Sequence, residues 1–165
     1  MHHAFRVAVQ GIAVALCVVT PITAYGVACP TEQSSVAYEQ MLIVASRRSI
    51  SASTAAMTLI RMRECWDWVD GGAKIGTLRT ILPIIAAHPN VAVHALRRPS
   101  LMMQAWLSDD FRFREIHGKN FETLKKHHKL ALLRLGSLKS GSGEDERLRV
   151  AIIAKLHCDS PTEID

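Results

Sequence analysis

The stretch Ser49–Gly72, "SISASTAAMTLIRMRECWDWVDGG", decides the fold. Leu59, Met62, Trp66 and Val69 recur at the spacing of one helix face. Ser51 or Ser53 can cap the start, because a serine oxygen accepts from a first-turn amide that has no helical partner. Gly71 and Gly72 are the expected stop. Cys65 falls on or beside the apolar stripe, with Met62 before it and Val69 after it. Its thiol is therefore expected to face the core. Trp66 extends the stripe, while Glu64, Asp67 and Trp68 lie to the side or outward.

Helical periodicity continues in both directions. "SSVAYEQMLIVASRR", residues 34–48, places Val36, Met41, Leu42 and Ala45 near one face. Arg47 and Arg48 suit the negative end of that helix. In "KIGTLRTILPIIAAHPNVAVHALRRP", residues 74–99, Leu78, Ile81, Leu82 and Ile85 share a face. Pro83 removes a backbone bond there and should kink the helix. "HPN" reads as a turn and "VAVHALRR" as a further helix. The passage looks like one HEAT-type hairpin, but no second copy follows at a repeat spacing, so a solenoid is not expected.

"SLMMQAWL" gives a short apolar helix, and "FRFREIH" alternates as a brief strand would. "NFETLKKHHKLALLRLGSL" is a strong helix burying Phe121, Leu124, Ala131, Leu132 and Leu135. "KSGSG" reads as a linker. Ser142 and Asp145 resemble a capping box before "EDERLRVAIIAKLH", whose stripe is Leu148, Ile152 and Leu156. The expected fold is all-α, a compact bundle of about five to seven helices.

The chain has 165 residues and a net charge of +5. "MHHAFR" carries Arg6 and no acid, "VAVQGIAVALCVV" is apolar apart from Gln10, and "TPITAYGVAC" adds Pro21 and small residues. That order is a secretory signal. The rival reading is an uncleaved anchor, since residues 7–28 are just long enough to span a bilayer. Pro21 and the small residues favour cleavage. The expected organisation is a signal peptide over residues 1–28 and a single helical domain over 29–165, located in the periplasm or secreted.

Of four cysteines, Cys17 would leave with the signal, so Cys29, Cys65 and Cys158 remain. An exported chain usually pairs its thiols. Cys29 is a candidate lipidation site, because "YGVAC" ends in the small residue and cysteine of lipoprotein processing. Gly26 stands where such signals usually carry an aliphatic residue. The preferred pair is Cys65–Cys158, tying the middle of the chain to its last helix, with Cys29–Cys65 competing. A loop that long is worth roughly 4 kcal/mol in the chain-entropy model.

Catalytic and metal motifs are missing from the sequence. A nucleophilic Cys65 would need a histidine or a positive field, but Glu64, Asp67 and Asp70 oppose Arg61 and Arg63. There are eight histidines, yet His127 and His128 are adjacent and diverge by about 100° on a helix. No H-E-x-x-H, P-loop or G-x-S-x-G occurs. Asp67 and Asp70 share a face near a helix end, where acids oppose the dipole. Asp109 and Asp110, after Ser108, look like the first turn of a new element. No catalytic residue, metal or cofactor is expected, and the protein reads as a non-enzyme.

Two groups are candidates for contact with a partner. One is Asp67, Trp68 and Asp70. The other is the basic helix carrying Lys125, Lys126 and Lys129, within a segment where eight Lys/Arg face Glu115 and Glu122. Such a helix is more often a solvated face than a binding surface. If it binds, an acidic protein or a membrane surface suits an exported chain better than nucleic acid.

"CWDWVDG", Cys65–Gly71, resembles the C-L-G-Y-I-x-G helix of small periplasmic immunity proteins that neutralise type VI secretion amidase effectors. In that family the motif precedes a Thr-Leu helix ending in His-Pro, and "TLRTILPIIAAHP", Thr77–Pro89, is similar. The two parts stand closer together here, and the family's intervening cysteine is absent. The resemblance implies a helical, disulfide-bearing protein that binds a cell-wall-degrading toxin and blocks its active site. The alternative is an envelope-associated structural or adaptor protein, held by lipid on Cys29 or by the basic helix.

Overall fold

The computed structural model describes residues 29, 35–47, 50–108, 121–139 and 143–159. The signal-like residues 1–28, Arg48, Asp109–Asp110, the "FRFREIH" stretch and Ser142 lie outside the described residues. Among the described residues, seven α-helices pack against one another: α1 Ser35–Ala45, α2 Ala52–Glu64, α3 Gly71–Ala87, α4 Pro89–Leu96, α5 Leu101–Leu107, α6 Phe121–Gly136 and α7 Gly143–Cys158. A single 3-10 turn, Trp66–Trp68, joins α2 to α3. None of these helices is long and apolar enough to cross a membrane.

Helix α3 is the hub, packed against α1, α2, α4 and α6. Leu78, Ile81, Leu82 and Ile85 are buried as expected, but so are Thr77, Thr80, Ile84 and Ala86. A helix surrounded on several sides needs an apolar surface wider than one stripe. The two threonines meet that need by turning their hydroxyls inward on their own helix. Thr77 donates to the carbonyl of Ala73 at 2.8 Å and Thr80 to that of Gly76 at 2.9 Å. The helix runs on through Pro83.

Helix α1 buries Tyr38, Met41, Leu42 and Ala45, spaced as i, i+3, i+4 and i+7, and leaves Val36 exposed. The Thr77 hydroxyl hydrogen already goes to Ala73, so the Tyr38 hydroxyl donates to Thr77 Oγ1 across 2.9 Å. Helix α2 starts at Ser51, whose oxygen accepts from the Thr54 amide at 3.1 Å. It ends earlier than expected, at Glu64, with Cys65 as its C-cap. Gly71 and Gly72 are therefore not a stop: they open α3.

Basic side chains join the helices by capping one another's C-terminal carbonyls. Arg134 of α6 donates to Ala86 and Ala87 at the end of α3, at 2.7 and 2.9 Å. Arg63 of α2 reaches Ala95 of α4 at 3.0 Å, and Arg149 of α7 reaches Leu135 of α6 at 3.1 Å. His128, buried on α6, donates through Nε2 to Leu156 of α7 at 2.6 Å. Buried Lys155 donates to Ser108 beyond α5 at 2.9 Å and pairs with Asp159 at 3.0 Å. The backbone contacts give carbonyls near helix ends a side-chain donor, and the arginines and Lys155 set positive charge at the negative helix end.

The disulfide differs from the preferred pairing. Cys29 is bonded to Cys65, with the Cα atoms 5.0 Å apart, and Cys158 is free and exposed. Two physical reasons account for the correction. Cys65 is sealed in the core at the end of α2, whereas the Lys155–Ser108 contact holds the last turn of α7 against the end of α5. Loop entropy also grows only with the logarithm of length, so the longer loop of Cys65–Cys158 would add less than about 1 kcal/mol. A Cys29 sulfur committed to a disulfide cannot carry a lipid thioether.

Burial raises the Tyr38 pKa above its ordinary 10.0. The raised folded value means the unfolded chain loses the proton first. This stability is fully present below pH 10 and is lost as pH rises through the folded value. Tyr38→Phe is expected to cost about 1 kcal/mol at neutral pH. It should also flatten the alkaline decline in denaturant stability relative to wild type. An equally steep decline in the variant would contradict the assignment.

Candidate functional site

The junction between α2 and α3 is built from six consecutive residues with separate tasks. The Cys65 amide closes the last turn of α2 on Arg61 at 2.9 Å, and the Cys65 carbonyl accepts from Trp68 at 2.9 Å. The chain then turns extended at Val69, whose side chain is buried. Asp70 caps α3: its Oδ1 accepts from the Ala73 amide at 2.9 Å. An acid read as opposing the end of one helix thus sits favourably at the start of the next.

The two tryptophans point to opposite environments. Trp66 is only 8% exposed, packs into the core and carries the Lys74 ammonium 5.3 Å from its ring centroid. Trp68 is 67% exposed. Asp67, between them, is exposed, and the nearby Glu64 is taken by Arg61 at 3.1 Å. The surface of the junction is therefore an indole beside a carboxylate, on a backbone fixed by a disulfide, a 3-10 hydrogen bond and a helix cap. An exposed tryptophan on a preset backbone suits a binding anchor, since little ordering remains to be done on contact.

The sequence-derived candidates thus divide between two elements. Asp67, Trp68 and Asp70 come together on the junction, with Asp70 partly occupied by capping. Lys125, Lys126 and Lys129 lie on α6, where Lys125 is half-buried and 3.8 Å from Glu122, while Lys126 and Lys129 are exposed. Leu133, exposed on the same helix, continues the Lys126–Lys129 face. Sequence reasoning placed Cys65 in the core, but it did not separate Asp70 as a cap. The signal was present: an acid followed by two glycines and then a new apolar period.

Clefts open on the surface of the described residues, two of them between helices. One, of about 320 Å³, lies between α1 and α3, with Glu39 and Arg79 on its walls. The other, of about 440 Å³, lies between the α4–α5 link and α7. Among the described residues, no three His, Cys, Asp or Glu side chains gather as metal ligands would. Comparison with protein-family models, with characterised proteins and with solved structures finds no match to this chain.

The environments of the two tryptophans predict opposite behaviour on truncation. Trp66→Ala should cost about 3 kcal/mol or more, as for other buried aromatics. Trp68→Ala should change stability by less than about 0.5 kcal/mol. Chemical denaturation of both variants is the check, and a large loss for Trp68→Ala would mean that the residue supports the fold.

Proposed function

We propose that this chain is a non-enzymatic, exported protein that captures a protein partner through the α2–α3 junction, and that it acts in the periplasm as an immunity or inhibitor protein against a secreted cell-wall-degrading toxin. The observation that carries the reading is Trp68, exposed on a junction whose neighbours are fixed by the Cys29–Cys65 bond and the Asp70 cap. The disulfide is consistent with an oxidising, extracytoplasmic compartment. The signal-like first residues and the "CWDWVDG" and "TLRTILPIIAAHP" resemblance point the same way. Cys65 in a disulfide is not available as a nucleophile, which supports the non-enzymatic reading.

The indole and the Asp67 carboxylate favour a partner surface that pairs an apolar hollow with a cation. Affinity capture from native envelope extract, with a C-terminal tag so that any signal is still processed, tests the proposal. The expected result is one stoichiometric prey of hydrolase-like sequence, with affinity reduced roughly thirtyfold in Trp68→Ala, the size of a binding hot spot. Capture unchanged in the variant would remove the junction from the account. Recovery with membranes, released by salt and without a stoichiometric prey, would favour an envelope-associated adaptor using Lys126 and Lys129.

A further inference from the structure

The cleft between the α4–α5 link and α7 has a chemistry that the partner-binding junction does not use. Its floor is apolar and comes from three helices: Leu96 of α4, Met103 and Leu107 of α5, and Leu148 of α7. Its rim is cationic. Arg97 and Arg98 stand on the link, Arg147 stands on α7, and Glu144 is the one carboxylate beside them. Three guanidiniums against one carboxylate leave a positive excess over an apolar floor. By contrast, the α1–α3 cleft sets one arginine against one glutamate.

Several arginines elsewhere in the described structure are occupied. Arg63, Arg134 and Arg149 cap helix ends, and Arg61 holds Glu64. Arg98 and Arg147 take no carboxylate partner among the described residues, and the Nη1 of Arg97 contacts only His94 Nδ1, at 3.4 Å. Guanidinium groups on an apolar wall present forked donors suited to a carboxylate or phosphate. The volume of about 440 Å³ falls in the range of small-molecule sites. Met103 gives the floor a side chain that adapts to different apolar shapes.

We propose that this cleft binds an amphiphilic anion: a carboxylate or phosphate head held by Arg98 and Arg147, with an apolar body laid on Leu96, Met103, Leu107 and Leu148. The head must be anionic because the rim is cationic, and the body must be largely apolar because Leu96, Met103, Leu107 and Leu148 line the cleft, with Ser100 and Gln104 as its uncharged polar residues. This site is independent of the junction, so its failure would leave the proposed function untouched.

The test uses the oxidised protein purified from the envelope fraction, with anilinonaphthalene sulfonate as a fluorescent amphiphilic anion. Decanoate and decyl phosphate are the competitors, and their relative potency separates a free carboxylate from a phosphate ester as the preferred head. Saturable one-to-one binding is expected, displaced by both. Decyltrimethylammonium, with the same tail and the opposite head, and acetate, with a head and no tail, should not displace it. The double variant R98E/R147E should weaken binding about tenfold or more, a conservative R147K should retain most of it, and E144Q should strengthen it. Circular dichroism melting checks that the variants remain folded. Non-saturable fluorescence, displacement by the cationic detergent, or equal binding by a folded R98E/R147E would overturn the proposal.

Discussion

The bond between Cys29 and Cys65 fastens the chain ahead of α1 to the end of α2. It does so at a residue that no solvent reaches. A helix normally ends with frayed, hydrated carbonyls. Here its last turn is held by a covalent link, and the next five residues form one 3-10 turn, bury Val69 and cap α3 with Asp70. Helix α3 then supplies the surface against which α1, α2, α4 and α6 pack. The entropic value of closing the loop between the two cysteines is about 4 kcal/mol in the chain-entropy model, a large share of the stability of a small domain.

Charge plays a more internal part than the net value of +5 suggests. Arg63, Arg134, Arg149 and His128 each donate to a late carbonyl of a different helix from their own, and Lys155 donates to Ser108 just past α5. Short helices have many ends relative to their length, so a bundle of seven has many orphaned carbonyls to satisfy. Basic side chains crossing between helices provide the donors and the favourable dipole interaction together. Other cations remain outward, among them Arg79 on α3, Lys126 and Lys129 on α6, and Arg98 and Arg147 beside the cleft.

Local periodicity made most of the helices legible, because most are amphipathic or fully apolar over a whole turn or more. It also led to particular errors. In α1 the buried stripe is Tyr38, Met41, Leu42 and Ala45, a regular helical spacing. Val36 lies off that stripe, and Tyr38 takes the place, its buried hydroxyl paired with Thr77. Lys155 and His128 fall on buried stripes of α7 and α6, and their partners are backbone carbonyls on other helices, which no single-helix pattern reveals. The break after Glu64 was hidden because Trp66 and Val69 keep the helical spacing across a turn. The disulfide was out of reach for a similar reason: spacing and loop entropy barely distinguish Cys29 from Cys158 as the partner of Cys65. Of the candidate surface, Trp68 and Asp67 were legible as outward-facing, whereas the cleft arises only from the packing of three helices.

The functional account depends on the junction being a fixed platform, and that in turn depends on which cysteines are joined. The most direct measurement is a peptide map of protein purified from the envelope fraction under non-reducing conditions, after alkylation of free thiols. The account predicts a linked peptide containing Cys29 and Cys65, no lipid on Cys29, and full alkylation of Cys158. An alkylated Cys65, or a peptide linking Cys65 to Cys158, would contradict it and would leave Trp68 on a junction without its covalent anchor.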